Sequence, residues 1–405
     1  MTASIVISGF GPAGAATALA LYRAGLTASD IAIVDPLSAQ DAASKGPDSR
    51  ILALNAGSRR LLEMLDIWPL LAPHAHPMRS IAISDTGLDE IVRPSSLGFE
   101  TETDDQPLAH LVPLGLLQSA LRDAARAAGI PLIAEHVLGF SPQPDAISLR
   151  CSRNQYRPSL LVAADGARSA IRRMAGIPFH GWAYGQTAIT AIVEHSAPHH
   201  GEAVQHFLPS GPFALLPLDE NRSSMVWSER TDIAKRMLEL SVPALIEEVV
   251  RRAAGWRGEI KGIGQVSSHP LSLGIARRFF ADRVALVADA AHVVHPLAGQ
   301  GLNLGFADAA TLAELVVEHV RLGLDPGDPT LLETYQARRR PPAVAMAGLT
   351  EGLNRLFSND FGPVRLVRDI GLGLVNRSDR LRSLLRKQAA GRDTGEPKLF
   401  RGEAI

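Results

Sequence analysis

Apolar runs that stop at an acid recur at three places along the 405-residue chain. Ile31–Val34 ends at Asp35, Leu160–Ala164 at Asp165, and Val284–Val287 is followed, one alanine later, by Asp289. Continuous apolarity over four or five positions predicts buried strands, and Ser4–Ser8 predicts a first one. Between the strands the apolar spacing changes to that of helices. The stretch after Gly14 puts Ala15, Ala18, Leu19 and Tyr22 on one face and ends at Gly25. Ser58–Leu65 carries Leu61, Leu62 and Leu65 on one side; Leu116–Ala128 and Ala170–Ala175 follow, and a further helix runs from about Asn303 through Ala307, Ala310 and Leu315. From Gly181 to Ile275 the texture becomes alternating, in Thr187–Val193, Ala203–Leu208, Phe213–Leu218 and Ser223–Ser228, with Pro, Gly and Asn at the turns. That predicts an antiparallel sheet with a helix over Val242–Ala254 embedded in it.

The expected architecture is α/β, with this sheet inserted as a second domain. The first domain takes residues 1–75, 107–180 and 276–340, the sheet domain 76–106 and 181–275, and a helical region 341–405. Within 76–106, Ile81–Ser84 is strand-like, while Glu100, Glu102, Asp104 and Asp105 predict a solvated loop. Residues 338–392 mix leucines with many arginines, among them Arg338, Arg339, Arg340, Arg355 and Arg386. A basic amphipathic segment suits an anionic membrane or a partner; a helical layer with solvated arginines is the simpler expectation.

Composition narrows the functional classes. Apolar content of 46% and charged content of 20% are those of an ordinary globular protein, and a formal net charge of -1 gives no pull toward nucleic acid. The sole cysteine, Cys151, excludes an internal disulfide and any cysteine-built metal centre, so no metal site is expected. The chain enters an apolar strand at once, without the pattern of a secretory leader, and lacks an uncharged apolar run of about 18 residues. A cytoplasmic protein is expected, at most peripheral at the inner face of a membrane.

The chemistry lies where strands end. Gly9-Phe-Gly11-Pro12-Ala13-Gly14 follows the first strand and opens a helix, and Asp35 tips the second strand about twenty residues on. Gly9 allows the turn, Gly11 the approach of a pyrophosphate, Gly14 the packing of helix on strand, and Asp35 suits ribose hydroxyls. This is a dinucleotide fingerprint, and its spacing alone leaves FAD and NAD both open. Asp165 repeats the grammar of strand, acid and helix, which an ordinary capped turn also explains. Asp289 precedes a second glycine loop, Pro296-Leu-Ala-Gly299-Gln300-Gly301-Leu302-Asn303, where free N–H groups at a helix start favour an anion or an electron-rich ring edge. A plain NAD dehydrogenase would leave that loop without a ligand. Arg50 follows the second strand, where it is either a pyrophosphate clamp or a surface arginine. His292 and His295 flank the loop as proton relays or as hydrogen-bonded structural histidines.

Together these motifs resemble the single-component aromatic hydroxylases that use FAD. Arg50-Ile-Leu-Ala-Leu, Gly211–Leu218, His295–Gly305 and Arg368-Asp-Ile-Gly-Leu are similar to those of the ubiquinone-biosynthesis hydroxylases. The resemblance implies a Rossmann-like FAD domain and a reaction using O2 with NADPH or NADH as transient reductant. Its substrate would be a polyprenylated phenol, in a biosynthetic complex or at a membrane surface. It implies that Gly9, Gly11, Pro12, Ala13, Gly14 and Asp35 hold the ADP half and that Arg50 lies along the flavin chain. Asp165 would contact the cofactor, Asp289 the ribityl chain, and the loop from Pro296 to Asn303 would lie against the isoalloxazine. Pro296 and His295 become the candidates nearest the reaction. Two departures stand out: Ala288 replaces the usual glycine before the aspartate, and Leu114-Gly115 precedes Leu116-Leu117 where a polar residue is common, which puts one flavin contact in doubt. A hydroxylase of a small soluble aromatic and a non-catalytic flavin-holding component remain the alternatives.

Overall fold

The structure, a computed structural model, describes residues 3–36, 50–85, 88, 97–101, 107–219, 221–253, 258–296, 299–357 and 395–405. The end of the acidic run and the basic stretch 358–394, with Arg365 to Arg392, lie outside them.

The apolar runs assemble into a six-stranded sheet in the order Phe280–Ala281, Val284–Leu286, Leu160–Ala163, Ile5–Ser8, Ile31–Val34, Leu132–Ile133. All pairs are parallel except the first, at the edge. Ile5, Ile7, Ile31, Leu160, Leu161 and Val162 are fully buried, as strands covered on both faces require. Ile5–Ser8 lies between a strand from the middle of the chain and the next strand in sequence. The crevice beyond the C-terminal ends at such a switch point is where open α/β sheets bind ligands. Asp35, the Gly9 turn, Asp165 and the Asp289 turn all leave the sheet along this edge.

The alternating segment supplies most of a sheet that has nine strands among the described residues. Its longest strand, Phe179–His195, extends eight residues upstream of the expected Thr187, with a register break between Ala183 and Thr187. Its exposed first half carries no apolar alternation to betray it. Ser80–Asp85 joins parallel to Glu202–Leu208, so the sheet is mixed, because this strand arrives from far earlier in the chain. His76–Met78 pairs instead with Ala109–Pro113. Ile189, Ala191 and Val193 point from one face, with Phe213, Leu215, Met225 and Trp227, onto helices Thr231–Leu238 and Val242–Ala253. There the buried Arg252 meets Glu229 at 3.3 Å and covers the Trp227 ring at 3.9 Å.

The opposite face receives the long helix Pro329–Phe357 through Leu273, Val294, Met346 and Ala347, and through a stacked Phe207–Phe357 pair at 4.2 Å. This helix continues through Pro341 and Pro342. It also corrects the expectation of solvated arginines: Arg339 is only 7% exposed, because Asp308 on the preceding helix neutralises it at 2.8 Å.

Candidate active site

The first glycine loop is built for close approach. Gly9 has φ +109°, and a Cβ there would sit 2.3 Å from the Ala164 carbonyl oxygen. A Cβ on Gly14 would sit 2.1 Å from the Gly9 carbonyl oxygen, which is why helix Pro12–Arg23 presses onto the turn. Gly11 differs: nothing lies within 4 Å of a Cβ there. No side chain caps this helix and Pro12 occupies its first turn, so no side-chain cap takes its first N–H groups. Asp35 Oδ2 accepts the Phe10 N–H at 2.7 Å and thereby fixes the turn to the second strand. Arg122, unmarked in the sequence among the polar positions of its helix, donates to the Phe10 carbonyl at 3.0 Å beside Asp35. It adds a cation to the cradle.

Asp165 has two roles available to its two oxygens. Oδ2 accepts from the N–H groups of Ala170 and Ile171, the capped turn of the simpler reading, while the buried Oδ1 has no partner among the described residues. Asp289 stands across the crevice on a short turn, its side chain open to solvent but crowded by protein. Burial raises its carboxyl above the usual range, against the pull of His292 and Arg50. Arg50 is exposed at the rim.

The Asp289 turn is held from behind. Ala288 has φ +54°, a left-handed conformation that alanine adopts at a cost. Its N–H donates to the buried Asp308 Oδ2 at 3.1 Å, which also accepts from His292 Nε2 at 2.6 Å. Arg339 Nε donates to the other oxygen. Burial alone would raise the Asp308 carboxyl; His292 and Arg339 together hold it below its ordinary value. His292 is thus the structural member of the histidine pair.

The second glycine loop leads into helix Gln300–Arg321, three residues earlier than Asn303, with Gly299 at φ +64° as its N-cap. Asn303 does not face an open cleft with its amide. Its Oδ1 accepts from Asn55 N and Ser58 Oγ, and its Nδ2 donates to the Ala53 and Gly299 carbonyls, so the side chain braces the loop against the neighbouring strand and helix. Leu302 likewise packs into the main core. Gln300 is buried, while Gly301 has no atom closer than 3.8 Å to a Cβ position. From Gly299 to Asn303 the loop therefore offers backbone rather than side chains. Pro296 accepts the Gly299 N–H at 3.0 Å, closing the turn next to His295.

His295 is fully buried, with both ring nitrogens unpartnered among the described residues. Burial, opposed by Glu351, lowers its pKa to about 4, and His110 is lowered to about 4 by burial and by Arg59. Both fold as neutral rings, so the unfolded chain takes up their protons first as pH falls below about 6.5. Stability should be full above that pH and decline toward pH 4, by about 1.4 kcal/mol per pH unit for each histidine. Urea unfolding at pH 7 and pH 5 checks this: His110→Asn should flatten the profile, and a profile unchanged by the substitution contradicts the assignment.

The crevice at the switch point, the open Gly11, the free Asp165 oxygen and the exposed Asp289 carboxylate fit a dinucleotide whose second half reaches the second loop. Comparison with known proteins agrees. The family described as FAD binding domain matches residues 2–350. A ubiquinone hydroxylase, UbiL, of Rhodospirillum rubrum is 38% identical over 99% of this chain and 93% of its own length. A 3-demethoxyubiquinol 3-hydroxylase of Escherichia coli is 31% identical over 96% of this chain and 98% of its own. The solved p-nitrophenol 4-monooxygenase PnpA of Pseudomonas putida DLL-E4, 19% identical, shares the fold with a TM-score of 0.78 over 97% of this chain and 99% of that one. The chain belongs to the FAD binding domain family and, within it, to the FAD-dependent aromatic hydroxylases of the ubiquinone-biosynthesis type.

Proposed function

We propose that this protein is an FAD-dependent monooxygenase that uses NAD(P)H and O2 to hydroxylate the ring of a polyprenylated phenol in ubiquinone biosynthesis. The observation that carries the reading is the pair of glycine-rich turns beyond one sheet edge, Gly9–Gly14 with Asp35 and Asp289 with Pro296 and Gly299–Asn303. The helix start at Gly11 and Pro12, with Arg122, suits the pyrophosphate. Asp35 suits ribose hydroxyls, and Asp289 and the free Asp165 oxygen suit hydroxyls of the ribityl chain. Arg50 lies where it can approach the same chain. Backbone groups of Pro296 and of Gly299 to Gly301 suit the edge of the ring system. When bound there, FAD supplies reduction by NAD(P)H and activation of O2.

The chain's own task is then to orient the phenol and keep water away. Leu273, Val294, Met346 and Ala347 supply a dry wall between sheet and helix. The alternating face bearing Phe207 extends it toward Phe357, which suits a prenyl tail. Among the described residues no helix is long and apolar enough to cross a membrane. The arginines between Arg365 and Arg392 support a peripheral contact with an anionic leaflet, where such a lipid resides.

Asp289→Ala should weaken FAD binding by about tenfold to a hundredfold, since charge-assisted hydrogen bonds contribute roughly 1.5–3 kcal/mol. Fluorescence titration of the apoprotein reads this directly, and an unchanged Kd removes Asp289 from the site. The pathway is tested by mass spectrometry of quinone lipids from cells lacking the gene. Loss of ubiquinone with build-up of a polyprenylphenol one oxygen short is expected. Unchanged lipids, in a cell without a redundant hydroxylase, would sink the ubiquinone reading.

A further inference from the structure

Three polar groups meet between the large sheet and the long helix, and the hydrogen-bonding capacity of one of them, the buried His295 ring, is unmet among the described residues. His295 Nδ1 and Nε2 have no partner among the described residues, and Tyr184 Oη and Glu351 Oε2 have none beyond each other. They come from three elements: the strand Phe179–His195, the loop ahead of Pro296 and the helix Pro329–Phe357. The Tyr184 and His295 rings stand edge to face, 5.1 Å apart. Glu351 opposes the lowering of the His295 pKa by burial, and its hydrogen bond with Tyr184 adds to the rise that burial imposes on the tyrosine. Arg355 donates to the other Glu351 oxygen, so this carboxylate is oriented from outside the cluster. Tyr184 packs against Leu273, Val294, Met346 and Ala347, an apolar cluster that offers it no polar partner.

A neutral imidazole needs one acceptor and one donor, a tyrosine hydroxyl can give and take, and a carboxylate oxygen only accepts. Each such group left bare in an interior costs about 1–3 kcal/mol. Two bare imidazole nitrogens beside a tyrosine–carboxylate pair are explained if a bound molecule completes them. That molecule needs a group that donates and accepts at once, carried on an apolar body. A carboxylate ligand would face Glu351 as a like charge. A hydroxyl on an aromatic ring meets every requirement.

We infer that Tyr184, His295 and Glu351 form a hydroxyl-recognition subsite that seats the free ring hydroxyl of the substrate. The subsite selects phenols over rings that lack the hydroxyl or carry it as an ether. This rests on the phenol reading above and adds the residues that would enforce it. It also gives His295 a role in binding, next to the loop whose backbone faces the cofactor site.

The test uses oxidised holoenzyme and follows the flavin absorbance change as 2-geranylphenol or its O-methyl ether is added, so no turnover is needed. Wild type should bind the phenol at least about tenfold tighter than the ether, since a site built for a hydroxyl rejects analogues without it. Tyr184→Phe and Glu351→Gln should each bring that ratio below about threefold and leave the Kd for the ether unchanged, which also reports an intact pocket. A smaller wild-type ratio overturns the subsite, as does a ratio of threefold or more in either variant. In those cases NAD(P)H-driven hydroxylation of the phenol by wild type preserves the functional reading. Absence of both binding and hydroxylation removes the two together.

Discussion

Gly11→Ala is expected to leave the protein folded and to weaken FAD binding by about 100-fold, roughly 2.7 kcal/mol. Gly14→Ala, three residues on, should instead damage the fold itself. The two glycines belong to one fingerprint, yet their surroundings differ. A methyl at Gly11 meets no atom within 4 Å, so the folded protein has room for it. The space it enters is the space that a pyrophosphate must approach, directly over an uncapped helix start. A methyl at Gly14 meets the Gly9 carbonyl at 2.1 Å and the Ala164 side chain at 3.2 Å. Backbone cannot step aside cheaply there, and overpacking costs at least about 1–3 kcal/mol. Melting temperature and FAD Kd, measured on both variants, separate the effects. If Gly11→Ala binds FAD like wild type, the cofactor does not lie over this turn.

Asp308→Ala should destabilise the protein by about 3–5 kcal/mol, because it leaves Arg339 buried without its counter-charge. The same change frees the Ala288 turn, so FAD affinity should fall even at temperatures where the variant is folded. The strain at that turn has a signature of its own. Ala288 occupies a left-handed conformation, and its Cβ lies 2.6 Å from where a Cβ on Gly305 would stand. Ala288→Gly should therefore be neutral or stabilising by up to about 1 kcal/mol. Gly305→Ala should be strongly destabilising alone and much less so when combined with Ala288→Gly. A double-mutant cycle of urea unfolding measures the coupling; strict additivity would show that the two residues do not compete for this space.

The strand-and-acid grammar was legible because buried parallel strands require continuous apolar runs and ligand-binding turns require small residues. Alternation revealed the strands of the large sheet that bury one face. It failed at Phe179–Gly185, where most side chains are exposed and no periodicity is needed to hold the pairing. Long-range polar pairing left no local trace. Arg339 finds Asp308 across 31 positions, and Asn303 finds Ser58 across 245, so a charged residue in a basic stretch and an amide in a glycine loop read as surface and ligand contacts. The two loop histidines look alike in sequence; their fates divide because Asp308 hydrogen-bonds His292 while no described residue hydrogen-bonds His295. Tyr184 and Glu351 flank His295 from 111 positions before and 56 after, counted as 295 − 184 and 351 − 295, which no spacing rule could join.

The central claim, transfer of one oxygen atom from O2 to a prenylated phenol, is tested most directly with purified holoenzyme, NADH or NADPH, 2-geranylphenol and 18O2. The account predicts a product heavier than the substrate by a single 18O atom on the ring, formed only when reductant is present. NAD(P)H oxidation that yields hydrogen peroxide alone, or a product whose new oxygen comes from water, would contradict it.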